Sequence, residues 1–223
     1  MRSKTSLRGR PRVISDEDLL LAARAVFLDQ SVGATTAQVA RKARISESVI
    51  FHRYKNKEAL FLAVLDHERR VPPLLEVLEQ RVGSGELAST LFDVGMSVIE
   101  AGRAVMPFLL VASAMARASN WKLDLLRERM KKPRPELKRS VRLLASYLDA
   151  EATAGRLRKI GNSEALALVF FSAMMQQVMQ QQWWPHEFSP LDAPDFVRAF
   201  VDLFLHGVAP QAPAPREPRG RNR

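Results

Sequence analysis

Along nearly the whole chain apolar residues recur at intervals of three or four, and no stretch sustains the period-two alternation with β-branched residues that a strand needs. A chain patterned this way can bury its apolar stripes only by packing helix on helix, so the predicted class is all-α. The pattern is clearest near the N-terminus. Ser15 followed by Asp16, Glu17 and Asp18 reads as a helix start, with a capping hydroxyl and three acids at the positive end of the helix dipole. Leu19, Ala22, Ala23, Val26 and Phe27 then fall on one stripe. With 47% hydrophobic residues among 223, a core can form unaided. The absence of cysteine excludes disulfides, thiolate metal sites and cysteine nucleophiles.

The first helix is predicted to end near Gly33. Thr35 or Thr36 caps a short second helix with Val39, Ala40 and Ala43 inward, and a break near Arg44 separates it from a third. Ser46 caps that third helix, which turns Ile50 and Tyr54 inward and leaves Glu47, Ser48, Val49 and His52 to point elsewhere. Asn56 restarts a fourth, carrying Leu60, Phe61, Val64 and Leu65. Beyond residue 66, Pro72-Pro73, Gly83 to Gly85, Pro107, Pro133, Pro135, Gly161, Pro185 to Pro194 and Gly207 punctuate about five longer helices, making about nine in all. The predicted organisation is a basic disordered arm over 1–13, a head of short helices over 14–66, a bundle of longer helices over 67–208, and a disordered tail rich in proline and arginine over 209–223.

Formal net charge is +10, but most of it sits at the two ends. Arg2, Lys4, Arg8, Arg10 and Arg12 precede any acid, while Arg216, Arg219, Arg221 and Arg223 face only Glu217. In the N-terminal arm, Arg8-Gly9-Arg10-Pro11-Arg12 sets guanidinium groups around a flexible glycine and a stiff proline, a strip suited to a narrow minor groove. The arm has no apolar stretch of the kind a secretory signal carries. The longest charge-free run, Ala165 to Pro185, is interrupted by Gln176, Gln177, Gln180, Gln181 and Gln182 and reads as a buried helix rather than a bilayer span. A cytoplasmic location without membrane contact is expected.

Two short capped helices at this spacing suggest a helix-turn-helix, in which the first helix props the second so that it enters the major groove. Val39, Ala40, Ile45, Ile50 and Tyr54 would lock the pair; Arg41, Lys42, Arg44, Arg53, Lys55 and Lys57 surround it and suit phosphates. The segment TTAQVARKARISESVIFHRYKNKEALFLAVL resembles the TetR-family head, in which T-T-x-x-x-I-A-x-x-A-G-V-S is followed by a T-L-Y-x-H-F-like stretch and K-x-K-E-x-L. The resemblance spans residues 14–66. It implies a ligand-responsive repressor acting as a homodimer on a near-palindromic DNA operator. It also places Thr35 and Thr36 at phosphate, Ser46 to His52 on the recognition helix, and Lys57 near phosphate.

Four departures from that pattern are informative. Arg44 stands where the family commonly has glycine, so either the turn avoids positive φ or Arg44 adopts it at a cost. Glu47 replaces a common lysine; complementing the helix dipole is favoured over accepting from a cytosine amino group. Ser48 replaces a frequent glycine. Phe51 replaces a frequent tyrosine and cannot donate to phosphate, a contact that His52 or Arg53 would have to replace.

In the body, the run EALALVFFSAMMQQVMQ is apolar on nearly every side, and the last helix offers Phe196, Val197, Phe200, Val201, Phe204 and Leu205. These two helices are expected to pair with their symmetry mates through Leu166, Phe170, Ala173, Phe196, Phe200, Val201 and Phe204. A pocket for an apolar, fairly bulky effector is expected from Phe92, Met96, Ile99, Met106, Phe108, Trp121, Met174 and Trp183, with Glu100 or Arg103 as polar handle. His52, His67, His186 and His206 are scattered and no catalytic or nucleotide-binding motif is present, so neither an enzyme nor a cofactor or metal site is expected. The competing reading is an architectural DNA binder driven by its basic arms.

Overall fold

The computed structural model describes residues 14–118, 135–183 and 191–206, and among them it contains nine α-helices, two short 3-10 turns and no strand. The first helix, α1 (Asp16–Gln30), is capped by Ser15, whose Oγ accepts from the Asp18 N–H at 3.0 Å. Leu19, Ala23, Val26 and Phe27 on its stripe are buried. It stops at Gln30, and a 3-10 turn over Ser31–Gly33 completes the passage to α2 (Thr36–Ala43), α3 (Glu47–Arg53) and α4 (Lys57–Glu68). Thr35 and Asn56 cap α2 and α4 through their side chains. Ser46 precedes α3 without a side-chain capping bond; its hydroxyl instead pairs with that of Ser48 at 2.8 Å.

A short α5 (Pro73–Glu76) leads to the body, formed by α6 (Leu87–Ala118), α7 (Pro135–Thr153), α8 (Ser163–Trp183) and α9 (Ala193–His206). The break expected at Pro107 does not occur: α6 runs through it for 32 residues. A proline inside a helix costs about 3 kcal/mol, and packing on both sides of Pro107 offsets that cost. Val94, Val98 and Ile99 enter the body core before it, whereas Phe108, Val111, Ala112 and Met115 enter the head core after it. The head core therefore draws on residues well beyond 66. Between Leu87 and Met115 this helix is also long and apolar enough to cross a bilayer, and its apolar residues are divided between the two cores.

Two glycines on α6, one full heptad apart, set the depth of the body packing. A Cβ on Gly95 would lie 2.7 Å from Val197 Cγ1 of α9, and one on Gly102 would lie 2.6 Å from Met175 Cε of α8. Far from the head, the fully buried Glu151 accepts from the Gly83 N–H at 3.2 Å and lies 3.4 Å from Arg156 Nε. Arg156 in turn donates to the Ser84 and Gly85 carbonyls at 3.3 and 2.7 Å, fixing that loop. Burial, helped by the neighbouring Glu151, pushes the Tyr147 phenol up to about 12.

Candidate nucleic-acid interface

The recognition unit is built from caps and one tight turn. Gln38 N–H donates to Thr35 Oγ1 at 3.2 Å while Gln38 Oε1 accepts from the Thr35 N–H at 2.8 Å, a reciprocal capping box that fixes where α2 begins. Val39 and Ala40 anchor α2 in the head core. At its end Arg44 takes φ 56°, ψ 42°, and the Ile45 N–H reaches back to the Ala40 carbonyl at 3.0 Å. The turn thus keeps the left-handed geometry for which glycine is favoured, and Arg44 adopts it at a cost of roughly 1 kcal/mol.

The short helix α3 is then held from behind by Ile50, which is fully buried. Ser48 and His52 lie two residues either side of Ile50, so they occupy the opposite face, and both are exposed. Phe51 is 50% exposed and Val49 partly so, completing an outward surface of four side chains. Arg41, Lys42, Arg44 and Lys55, which flank α3 in the chain, are exposed and of a type suited to phosphates.

Several residues expected at DNA have partners inside the head. Thr36 Oγ1 donates to Glu47 Oε1 at 2.5 Å, tying the start of α2 to the start of α3. Glu47 thereby complements the α3 dipole while bonding to protein rather than standing free for a base. Arg53 spends its guanidinium on α1, with one nitrogen 2.9 Å from Asp16 Oδ1 and the other donating to the Ile14 carbonyl at 2.8 Å. Lys57 Nζ donates to the Val32 carbonyl at 3.3 Å. Beside Arg53, the Tyr54 phenol is raised above its ordinary value, chiefly by burial and then by the Asp16 charge. None of these pairings is visible in sequence, since the partners are up to 39 residues apart. Thr35 stays exposed at the start of α2, whereas Arg8, Arg10 and Arg12 lie outside the described residues.

Behind the head, an apolar cavity of about 350 Å³ lies against one stripe of α6, formed by Val98, Ala101, Gly102, Val105, Met106 and Leu109. Phe171, Met175 and Met179 of α8 close it, with Glu136, Leu137 and Ser140 of α7 and Glu68, Arg69 and Arg70 from the end of α4. Of the described residues expected to form a pocket, Met106 alone borders this cavity. Ile99, Phe108 and Met174 are fully buried in the cores, and Met96 packs against the body core. Phe92 lies beneath the Arg198 guanidinium at 5.3 Å. Glu100 is exposed, and the exposed Arg103 donates to Gln181 Oε1 at 2.7 Å. Trp121 and the Trp183 side chain lie outside the described residues.

The α8–α9 face also differs from expectation. Phe170 and Val201 are buried in the body core, and Phe200 and Phe204 each stand edge-on to Phe170 at 5.4 Å. Leu166, Ala173 and Phe196 are partly buried against the same core. The solvent-facing apolar residues are Leu168 (50% exposed), Val169 (56%), Met179 (42%) and Leu203 (45%).

Residues 19–64, from α1 through α4, match the family model described as bacterial regulatory proteins, tetR family. The head belongs to that family. No curated protein matches the chain's sequence. In three dimensions it is similar to a solved structure from Mesorhizobium loti MAFF303099 described as a tetR-family transcriptional regulator. That match has a TM-score of 0.65 at 19% identity and covers 85% of this chain and 94% of the other. It is also similar to the regulator FadR from Bacillus subtilis, solved in complex with stearoyl-CoA, with a TM-score of 0.60, 16% identity and coverage of 87% and 100%. PfmR, a TetR-family regulator from Thermus thermophilus, gives 0.53 at 16% identity over 86% and 99%. The protein is accordingly a DNA-binding transcriptional regulator with a tetR-type head.

Proposed function

We propose that the protein is a homodimeric repressor that reads a near-palindromic operator with α3 and releases it when an apolar effector occupies the cavity beside α6. The observation that carries the reading is the construction of α3. It is a seven-residue rod fixed by Ile50, with Ser48, His52, Phe51 and part of Val49 left open to solvent and basic residues around them. One such rod reads too few base pairs for specificity, and a dimer doubles the readout. The exposed strip of Leu168, Val169 and Met179 on α8, continued by Leu203 on α9, supports pairing of those helices with their symmetry mates.

Effector control has a physical route in Glu68. Its side chain is nearly buried, borders the cavity, and pairs with Arg24 Nε of α1 at 3.1 Å; the Arg24 guanidinium also lies 5.9 Å from the Phe108 ring centroid. A ligand that displaces the end of α4 therefore disturbs the contact between α4 and α1 inside the head. A coupling of about 3 kcal/mol would weaken operator binding about 150-fold. The apolar lining, and the stearoyl-CoA held by the Bacillus subtilis neighbour, make a long-chain acyl-CoA the first effector to test.

Selection of bound duplexes from a random pool should return an inverted repeat bound roughly 10³-fold or more tighter than random DNA. Equal affinity for all duplexes, lost on deleting residues 1–12, would instead favour an arm-driven architectural binder. Titrating stearoyl-CoA against the selected operator then tests the effector.

A further inference from the structure

We infer that Phe51 is a specificity-determining residue, contributing to operator choice by packing its ring on a thymine C5 methyl group; the inference rests on the reading that α3 enters the major groove. Phe51 is half exposed on a helix whose other outward residues include Ser48 and His52. It does not serve the head core, which α3 supplies through Ile50. It has no donor, so it cannot bond a phosphate as a tyrosine hydroxyl would.

The neighbour on its flank strengthens the assignment. Glu47 precedes Phe51 by one helical turn, so the two share a side of α3. The Glu47 carboxylate is held there by Thr36 Oγ1, and a fixed negative charge repels the sugar-phosphate strand. The Glu47–Phe51 side is therefore better suited to base edges than to backbone. Among the groups a base pair presents in the major groove, the apolar one is the thymine methyl. An exposed aromatic ring, kept off the phosphates and lacking polar atoms, matches that group.

The test starts from the duplex selected with the full-length protein. Each thymine of the half-site is replaced by deoxyuridine, which removes only the methyl group. The wild-type protein should lose about fourfold in affinity at one symmetry-related pair of positions per methyl buried, and a smaller or no change elsewhere. In Phe51→Ala that loss should vanish, while Phe51→Tyr, which keeps the ring, should retain it. Circular dichroism would verify that both variants remain helical. Indifference of the wild type to every deoxyuridine, a selected half-site without thymine, or full discrimination persisting in Phe51→Ala would each overturn the inference while leaving sequence-specific binding intact. Failure to enrich any duplex would overturn the underlying regulator reading instead.

Discussion

The head and the body differ in what fixes their geometry. In the head, helices of 8 to 15 residues are capped by Ser15, Thr35 and Asn56, each of which accepts a backbone N–H, and the Arg44 turn sets the angle between α2 and the seven-residue α3. In the body, helices of 14 to 32 residues are positioned by close approach, with α6 lying on α8 and α9 at Gly102 and Gly95. Local chemistry orients the first, and contact between distant segments orients the second. The two are joined because α6 supplies part of the head core and the end of α4 borders the cavity shared with α6, α7 and α8. The head is thus locally specified but not energetically separate.

The strongest way to break that comparison is Phe61→Ala. Phe61 meets Phe27 of α1 at 5.1 Å and Phe108 of α6 at 5.9 Å between ring centroids. Its loss should cost about 3–5 kcal/mol and lower a single cooperative denaturation transition. Two transitions, only one of them shifted, would show that head and body unfold apart.

In the body, Gly102→Val should overpack the α6–α8 contact and cost about 1–3 kcal/mol by urea denaturation. Because it adds bulk beside the cavity, it should also reduce the response to an effector. At the junction, a double-mutant cycle on Arg24→Met and Glu68→Gln should give a coupling energy of about 1 kcal/mol, since Glu68 is nearly buried while Arg24 is partly exposed. A coupling near zero would remove this pair from the route between cavity and head.

Within the head, Arg44→Gly should stabilise by a few tenths to about 1 kcal/mol, because relief of the left-handed strain outweighs the extra freedom of the unfolded chain. If Arg44 touches phosphate, the same change should reduce the salt slope of operator binding by about 1. A further effect concerns pH. The Tyr147 phenol is raised to about 12 in the fold against an ordinary 10.0, so the folded state keeps its proton longer than the unfolded chain. Its contribution is complete below pH 10 and is lost as pH rises toward 12. Tyr147→Phe should flatten stability over that window.

Much of the head was legible because its signals are local. Ser15, Thr35 and Asn56 cap helices where their sequence neighbours indicate, and Ile50 is buried where the helical phase puts it. Ser46 was the exception, since its hydroxyl found Ser48 before it found the backbone. The body was less legible. Helical phase could not say which face borders another helix, a cavity or solvent. Ile99 and Met174 are expected at the pocket yet are buried in the body core, while the cavity beside α6 borders Ala101 and Gly102.

By itself the sequence determined the helical class, the caps at Ser15, Thr35 and Asn56, and an outward α3 surface that includes Ser48 and His52. These follow from interactions between residues within a few positions of one another. Only the tertiary structure decided that Thr36 and Glu47 bond to each other, that Arg53 serves α1, that α6 crosses Pro107 into the head core, and that Leu168 and Val169 rather than Phe170 face outward. Each of those outcomes depends on which distant groups come into reach, and that is set by how the helices pack.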